Sequence, residues 1–267
     1  MLGEAGATVY ATGRSVRGHP AMAGRLETIE ETAELVTARG GVGIAVRVDH
    51  TAEDEAAALF ERVRREQDGR LDLLVNDVWG GDELSEWGKP FWENSLRKGL
   101  LMQERAVYSH IITAHYAAPL MVARGRGLII EVTDGVDYAY RGNLFYSLAK
   151  ISSIHLATGM AADLRPHGVT ALAVTPGFLR SEAVLDHFGV SEENWRDAIA
   201  RDPHFAASET PYFVARAIVA LASDPRVADK AGMTVASWDL AREYGFTDID
   251  GARPHWGEFF AAHVVDA

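Results

Sequence analysis

Residues 128–176, LIIEVTDGVDYAYRGNLFYSLAKISSIHLATGMAADLRPHGVTALAVTP, decide the fold of this chain. The segment opens with an apolar, β-branched run that predicts a strand over Leu128–Thr133, and it closes with another over Val169–Thr175. Between them, Asn143–Arg165 predicts a long helix, which Pro166-His167-Gly168 ends. Two strands that are joined through a long helix are typically parallel.

The same alternation of strands and helices extends outward in both directions. Further strands are predicted from short apolar runs at Ala7–Thr12, Val42–Val48, Leu71–Asn76 and Met233–Ala236. Leu26–Arg39 and Glu53–Arg65 carry apolar residues at helical spacing, which predicts two helices that cover a sheet. We therefore expect an α/β fold with a doubly wound, mostly parallel, Rossmann-like sheet.

The chain contains no linker, repeat or charge block that would divide it, so we expect residues 1–267 to form a single domain. Gly80–Pro90 predicts a loop, and Phe91–Ala123 predicts one or two helices. Residues 177–208 have the features of an insertion, with short helical pieces, several aromatic residues and Pro203. These features fit a mobile substrate loop and a packed surface excursion equally well.

Composition narrows the possible functions. Of the 267 residues 48% are apolar, and 38 acidic and 26 basic residues give a formal net charge of -12. This charge repels phosphate backbones and anionic lipids, so binding to nucleic acid or to a membrane surface is not expected. The chain has no cysteine, which excludes disulfides and thiolate chemistry. Without a membrane-length apolar run or a secretory signal pattern at the start, we expect a cytoplasmic location.

The segment Tyr146-Ser147-Leu148-Ala149-Lys150 is the strongest local indication of chemistry. A spacing of four residues on a helix places the phenol and the ammonium on one face. Because a nearby cation favours the phenolate, we expect Lys150 to lower the pKa of Tyr146 from about 10 toward neutral pH. Such a tyrosine can donate or accept a proton. Two surface neighbours without a catalytic role would show the same spacing, so the surroundings decide between these readings.

Further polar features are predicted at the carboxyl ends of strands, which is the edge where open α/β sheets bind ligands. Thr133 and Asn76 each end a predicted strand, and Pro176-Gly177 follows another. We therefore expect these residues to meet Tyr146 and Lys150 in one crevice.

This combination resembles the short-chain dehydrogenase/reductase family over nearly the whole chain from Gly3 onward. The resemblance rests on the Tyr-x-x-x-Lys helix, on the hydroxyl at the preceding strand end, and on the Pro-Gly turn. It also rests on Asn76-Asp77-Val78-Trp79-Gly80, which is similar to the family's Asn-Asn-Ala-Gly turn. Residues 3–14, 164–169 and 239–251 are similar to the subgroup of dehydrogenase/reductase member one.

The resemblance implies hydride transfer between a nicotinamide cofactor and a small-molecule substrate that alternates between a carbonyl and a primary or secondary alcohol. Tyr146 would exchange the proton with the substrate oxygen, and Lys150 would support Tyr146 and hold the nicotinamide ribose. Thr133 would donate a hydrogen bond to the same oxygen, as a developing oxyanion requires. Asn76 and the turn at Pro176 and Gly177 would contact the cofactor. A homodimer or homotetramer is also implied.

Two regions carry the expected preferences for cofactor and substrate. Arg14 and Ser15 follow the first strand, where an arginine can pair with a 2′-phosphate and an acid would bind the ribose diol, so NADP(H) is favoured over NAD(H). Asp49 resembles the family's adenine contact, although turn chemistry explains it equally well. Trp79 and Phe178 are candidates for the wall of an apolar substrate pocket, although a core position is the commoner place for either ring.

The chain departs from the family's pattern near its start. The family opens with a strand, a Gly-rich phosphate-binding turn and a helix, but no Gly-x-x-x-Gly-x-Gly follows a strand in this sequence. In the strand order 3-2-1-4-5-6 that first strand is central, so we expect a gap between Ala7–Thr12 and Leu71–Asn76. We also expect the true start of the protein to lie roughly 20 to 30 residues upstream.

A second departure concerns the residues around the reaction centre. The asparagine that holds a relay water in many family members would fall near Ala106, and Asp134 stands where the family often has a second serine. A carboxylate beside the place where the hydride is transferred is unusual, so the sequence leaves the polarity of the substrate open. A non-catalytic Rossmann-like binding or structural subunit, or an inactive truncated form, is therefore an alternative.

Other chemistries have weaker support in the sequence. The serines after Tyr146 lack the Gly-x-Ser-x-Gly elbow of a hydrolase. The ten histidines show no close metal-ligand spacing, so no metal site is expected. We expect His110, His115, His155 and His167 to lie on helix surfaces or at helix ends.

Overall fold

The computed structural model describes residues 1–21 and 27–263, so the start of the first predicted helix at Leu26 lies outside the described residues. The described strands are β1 Thr8–Gly13, β2 Val42–Arg47, β3 Leu73–Asn76, β4 Gly127–Val132, β5 Val169–Thr175 and β6 Thr234–Ala236. The described α-helices are α1 Ile29–Ala38, α2 Glu53–Glu66, α3 Leu96–Gln103, α4 Ser109–Arg124, α5 Leu144–Leu164, α6 Glu182–Phe188, α7 Pro211–Ser223, α8 Ser237–Tyr244 and α9 Trp256–His263. The predicted α/β fold with parallel strands in one domain is confirmed.

The described strands form two parallel sheets instead of the single sheet that the alternation predicts. One sheet has the order β1-β2, and the other has the order β3-β4-β5-β6. The division falls between β1 and β3, where the sequence predicts a gap, because no described strand lies between these two. The carboxyl ends of β3, β4 and β5 lie at one edge of the larger sheet.

Apolar side chains cover both faces of the larger sheet. Ile130 and Leu172 face α7 and α8, where they pack with Leu221 and Leu240. The neighbouring residue Ile129 faces the other side, where α4 and α5 contribute Met121, Ala161 and Leu164. This alternation buries β5 completely and makes it the centre of the core. No helix within the described ranges is long and apolar enough to cross a membrane.

Helix α2 connects the two sheets. Leu59, Phe60 and Val63 are buried in a cluster that includes Tyr10 of β1 and Leu74 of β3. A buried histidine makes a polar connection beside it: His50 Nε2 lies 2.9 Å from Thr12 Oγ1, and His50 Nδ1 lies 2.8 Å from Thr113 Oγ1 on α4. The smaller sheet is therefore held by contacts with α2 and α4.

The segments between the strands contain the predicted loops and helices. Residues 96–124 are helical throughout, with a π-helical turn at Glu104–Tyr108 between α3 and α4. The predicted loop Gly80–Pro90 includes a short 3-10 turn at Asp82–Leu84. The predicted insertion at 177–208 consists of α6 and short 3-10 turns.

Close contact between α1 and β2 leaves no room for a side chain at Gly43. A Cβ at this position would overlap the carbonyl of Ala33, with the carbonyl carbon only 2.6 Å away. Gly43→Ala is expected to lower the free energy of unfolding by about 1–3 kcal/mol, because the backbone of α1 must shift. Urea unfolding measures this change.

Gly159→Ala provides the control, because a Cβ at Gly159 in α5 would meet nothing within 4 Å. Alanine is a better helix former than glycine, so this variant should be as stable as the wild type or more stable by up to about 1 kcal/mol. Equal stability of the two variants would contradict the close approach of α1 and β2.

Candidate active site

Tyr146 and Lys150 lie one turn apart at the start of α5. The Lys150 ammonium lies 5.5 Å from the centre of the Tyr146 ring and 4.0 Å from the centre of a Trp79 ring. Trp79 also contacts Tyr146 edge to face, with ring centres 5.5 Å apart. The structure therefore brings together the two residues of the helix motif and the predicted pocket residue Trp79.

The first turn of α5 is fixed by Asn143. Its side-chain oxygen accepts a hydrogen bond from the backbone N–H of Tyr146, which caps the helix. Its amide nitrogen donates to the carbonyl of Glu86 at 3.0 Å and to Asn94 Oδ1 at 2.9 Å. The cap therefore ties Tyr146 to the loop that also carries Trp87.

Trp87 is a site residue that the sequence interpretation missed. Its ring lies 5.1 Å from the ring of Tyr146, and about half of the residue is exposed. No spacing rule relates position 87 to position 146, because the contact depends on how the loop returns to α5. An exposed aromatic residue in a predicted loop was the only available signal.

The hydroxyl of Tyr146 donates a hydrogen bond to Asp134 Oδ2 at 2.9 Å. Burial raises the pKa of Tyr146, and the charge of Asp134 and this hydrogen bond raise it further. The expectation that Lys150 lowers the pKa of Tyr146 is therefore wrong. The physical reason is that the Asp134 carboxylate lies at the Tyr146 hydroxyl, whereas the Lys150 ammonium lies over the aromatic rings.

Burial also lowers the pKa of Lys150, because an ammonium loses hydration in the interior. The charges of Asp134, Asp77 and Asp82 oppose this effect. Within the part of the chain that the structure describes, the ammonium has ring contacts but no hydrogen-bond acceptor.

Thr133 takes a different position from the one expected of an oxyanion donor. Its side chain is 2% exposed, and its hydroxyl donates to the carbonyl of Lys150 at 2.8 Å. The proton of the hydroxyl is therefore used inside the protein, where it joins the end of β4 to α5. Asp134, the next residue, supplies the polar group that meets Tyr146.

Asn76 belongs to a buried charged network beneath the crevice. Its amide donates to Glu131 Oε1 at 2.7 Å, and Glu131 Oε2 lies 2.5 Å from His110 Nδ1. The other ring nitrogen of His110 lies 3.0 Å from the carbonyl of Val78. Because a carboxylate and a carbonyl lie at the two nitrogens, the surroundings favour the doubly protonated ring.

Burial opposes the charged form of His110, but the hydrogen bond and charge of Glu131 outweigh it and raise the pKa of His110. The expectation that His110 lies on a helix surface is wrong, because β4 places a buried carboxylate against that face of α4. His115, His155 and His167 are exposed.

A cavity of about 10 Å³ lies between the buried network and the helix motif. Its lining includes Asp77, Ala106, His110, Lys150 and Ser153. This volume suffices for about one water molecule. Ala106 in the π-helical turn faces this cavity, at the position where the family's relay asparagine was expected, so no side-chain amide reaches into it.

The predicted adenosine end of the site lies at the carboxyl ends of β1 and β2. An Arg14 nitrogen lies 3.6 Å from Asp49 Oδ2, and the Arg14 side chain is 35% exposed. Ser15 Oγ accepts a hydrogen bond from the backbone N–H of Ala21. Asp49 Oδ1 accepts from the backbone and side chain of Thr51, so Asp49 has a role in this turn, while its contact with adenine stays a prediction. Burial raises the pKa of Asp49, but these hydrogen bonds and the charge of Arg14 outweigh burial and lower the pKa.

Phe178 packs with other aromatic residues, and among the described residues it has no ring contact with Tyr146, Trp79 or Trp87. The ring of Phe178 lies 5.1 Å from Phe205 and 5.8 Å from Trp256, which builds an aromatic cluster under the 177–208 segment. Pro176 and Gly177 follow β5, and the N–H of Gly177 donates to Glu209 Oε2 at 2.9 Å. Phe178 is therefore part of the packing of this segment.

Similarity to known proteins agrees with this arrangement. A family model described as "Enoyl-(Acyl carrier protein) reductase" matches residues 3–237. Dehydrogenase/reductase SDR family member 1 of Mus musculus is 36% identical over 255 residues, which cover 94% of this chain and 78% of that protein. The protein of the same name from Homo sapiens is 35% identical over the same shares.

Solved structures share the fold. A putative dehydrogenase from Xanthomonas campestris has a TM-score of 0.74 at 22% identity, covering 94% of this chain and 85% of that one. A short chain dehydrogenase from Mycobacterium thermoresistibile has a TM-score of 0.76 at 23% identity, covering 96% and 85%.

The class of protein is thus an oxidoreductase with a Rossmann-like α/β fold. The chain belongs to the short-chain dehydrogenase/reductase family. Membership implies a nicotinamide cofactor and a small-molecule substrate.

The buried pair of His110 and Glu131 predicts a pH-dependent stability. Because the folded pKa of His110 is raised, its contribution is complete below the ordinary value of about 6.5 and is lost as the pH rises through the folded value. Glu131→Gln leaves a buried imidazolium without its partner and is expected to lower the free energy of unfolding by about 3–5 kcal/mol at pH 6.

The difference from the wild type should shrink as the pH rises, because the wild-type His110 then loses the proton on which the pair depends. Urea unfolding at pH 6, 7.5 and 9 measures it, with His115→Gln as the control because His115 is exposed on the same helix. A difference that is constant with pH would contradict the charged state of His110.

Proposed function

We propose that this chain is an NADP(H)-dependent oxidoreductase that interconverts a carbonyl and a primary or secondary alcohol, with Tyr146 as proton donor and acceptor. The observation that carries the proposal is the placement of the Tyr146 hydroxyl and the Lys150 ammonium together, next to the carboxyl end of β4. Acid–base work on an oxygen needs a group of this kind at the edge where open sheets bind ligands.

The residues present suit the nicotinamide end of such a cofactor. The Lys150 ammonium has three N–H donors and, among the described residues, lies over aromatic rings without a hydrogen-bond acceptor, so ribose hydroxyls would satisfy it. Asn76, Pro176 and Gly177 border the same edge of the larger sheet. When bound, the nicotinamide gives or takes a hydride, and Tyr146 handles the accompanying proton.

Arg14 supports a preference for NADP(H). Its guanidinium is 3.6 Å from Asp49, which is an ion-pair distance without a close hydrogen bond, and the side chain is partly exposed. Several of its donors are therefore available for a 2′-phosphate, which arginine binds well. Ser15 follows it at the same strand end.

The surroundings of Tyr146 favour an apolar substrate. Trp79 and Trp87 contact its ring from two directions and offer apolar surface beside the hydroxyl. Residues 177–208 follow Pro176 at the same sheet edge, so we assign them as the substrate loop, with Phe178 in its packing instead of in the pocket wall. The absence of cysteine suits a reducing, cytoplasmic compartment.

Replacing Tyr146 tests the proposed chemistry. Tyr146→Phe should reduce kcat by about 10²–10⁴-fold, because the proton transfer loses its side chain. Turnover is followed through nicotinamide absorbance with a panel of apolar ketones and alcohols. Tyr138→Phe is the control, since Tyr138 is an exposed tyrosine of the neighbouring loop. Full activity of Tyr146→Phe would refute the assignment.

Replacing Arg14 tests the cofactor preference. Arg14→Ala should weaken NADPH binding about tenfold, or ~1.4 kcal/mol, and leave NADH binding unchanged, because only the phosphate contact is lost. Calorimetric titration of both nucleotides measures this. Arg17→Ala is the control, because Arg17 is an exposed arginine that pairs with Glu34. An equal loss for both nucleotides would argue against a phosphate contact.

A further inference from the structure

A carboxylate occupies the place where the family resemblance predicts neutral hydroxyl donors. Asp134 Oδ2 accepts the hydrogen bond of the Tyr146 hydroxyl, and the Thr133 hydroxyl is turned inward to the carbonyl of Lys150. Neither residue therefore offers a proton to a substrate oxygen.

We propose that Asp134 is a proton relay for this site: it accepts the proton of Tyr146 while Tyr146 takes the proton of an alcohol, and it returns a proton to Tyr146 during carbonyl reduction. The inference rests on the proposed function and deepens it, since it gives the proton of Tyr146 a path to solvent.

The step balances in atoms and electrons. The O–H bond of the substrate breaks and its proton passes to Tyr146 Oη, while the O–H bond of Tyr146 breaks and its proton passes to Asp134 Oδ2. The C–H bond of the alcohol carbon gives its electron pair as a hydride to an oxidised nicotinamide, and the C=O double bond forms. Asp134 can return its proton to solvent, because its side chain is 49% exposed.

The turn after β4 holds Asp134 in this position. The N–H of Gly135 donates to Thr175 Oγ1 on β5 at 2.8 Å, and Gly135 has a positive φ of 80°. A Cβ at Gly135 would overlap the guanidinium of Arg141, so the turn requires glycine. Arg141 Nε lies 3.7 Å from Asp134 Oδ2. The contact with Tyr146 is thus built into the turn.

The charges around Tyr146 oppose a second negative charge at its hydroxyl. Asp134 and Asp82 raise its pKa after burial, and only Arg141 acts against them. Lys150 lies over the ring, at 5.5 Å from its centre. Asp134 Oδ2 is the acceptor of the Tyr146 hydroxyl, so it is the atom that receives this proton when Tyr146 takes a second one from the substrate.

The ionisation of Tyr146 tests the electrostatic part without any substrate. The difference in phenolate absorbance between each protein and its Tyr146→Phe version isolates this residue among the eight tyrosines. Asp134→Asn should lower the ionisation midpoint of Tyr146 by at least one pH unit. Asp137→Asn is the matched control: Asp137 is an acid of the same loop and lies 3.5 Å from Arg141. No shift in Asp134→Asn, or an equal shift in the control, would overturn the inference.

The rates in both directions test the chemical part. In Asp134→Asn the rates of oxidation and of reduction at neutral pH should both fall at least tenfold, because both directions use the same proton path, and the oxidation rate should increase with pH as Tyr146 ionises. Asp134→Ser, which restores a hydroxyl, should behave in the same way if the asparagine variant folds poorly.

The two proposals fail in different ways. A wild type that turns over neither alcohols nor carbonyls with either nucleotide would refute the proposed function and the relay inferred from it. An active wild type whose rates and pH profile are unchanged in both Asp134 variants would refute only the role of Asp134.

Discussion

The hydrogen bond from the Thr133 hydroxyl to the carbonyl of Lys150 joins the end of β4 to the second turn of α5, and the geometry of the site depends on it. It is buried, so breaking it would leave unpaired polar groups in the interior. Ala149 packs beside it against Ala106 and Val107 of the π-helical turn. The helix that carries Tyr146 and Lys150 is therefore fixed by a polar and an apolar contact at once.

The core next to the hydrogen bond between Thr133 and Lys150 contains charged side chains. Glu131 is fully buried in the central sheet, and its two carboxylate oxygens are used by Asn76 and His110. Such a pair is costly to desolvate, but removal of one partner costs more than the pair itself. The network joins β3, β4 and α4 beside the cavity at Lys150. It thus sets the floor of the crevice.

The sequence predicts those features of the site that depend on the local periodicity of helices and strands. Tyr146 and Lys150 meet because four residues make about one helical turn, and the strand ends of Asn76 and Pro176 share an edge because the strands are parallel. Rotamers and loop paths are not local. The inward turn of Thr133, for example, follows from the position of the Lys150 carbonyl.

The wrong prediction for His110 shows the same limit of sequence patterns. Apolar periodicity identifies the buried face of a helix only when the opposing strand is apolar. On α4 the buried face includes Ser109, His110 and Thr113, because it meets Glu131 and His50 instead. A single sequence gives no way to pair these polar residues in advance, because β4 and α4 are joined by a reversal of the chain whose geometry sets the partners. Buried polar networks are therefore the part of this fold that sequence patterns describe least well.

The carboxylate at Asp134 has two electrostatic effects from one position. It raises the pKa of Tyr146 together with burial, and it opposes the effect of burial on the pKa of Lys150. Both effects favour a protonated phenol next to a protonated amine. With a neutral hydroxyl at this position, less charge would oppose the lowering of the Lys150 pKa by burial. The Tyr146 phenolate would also no longer have a negative charge beside it. Burial is the larger effect on each pKa, but the charge of this one side chain raises the pKa of both residues in the helix motif and so links their ionisations.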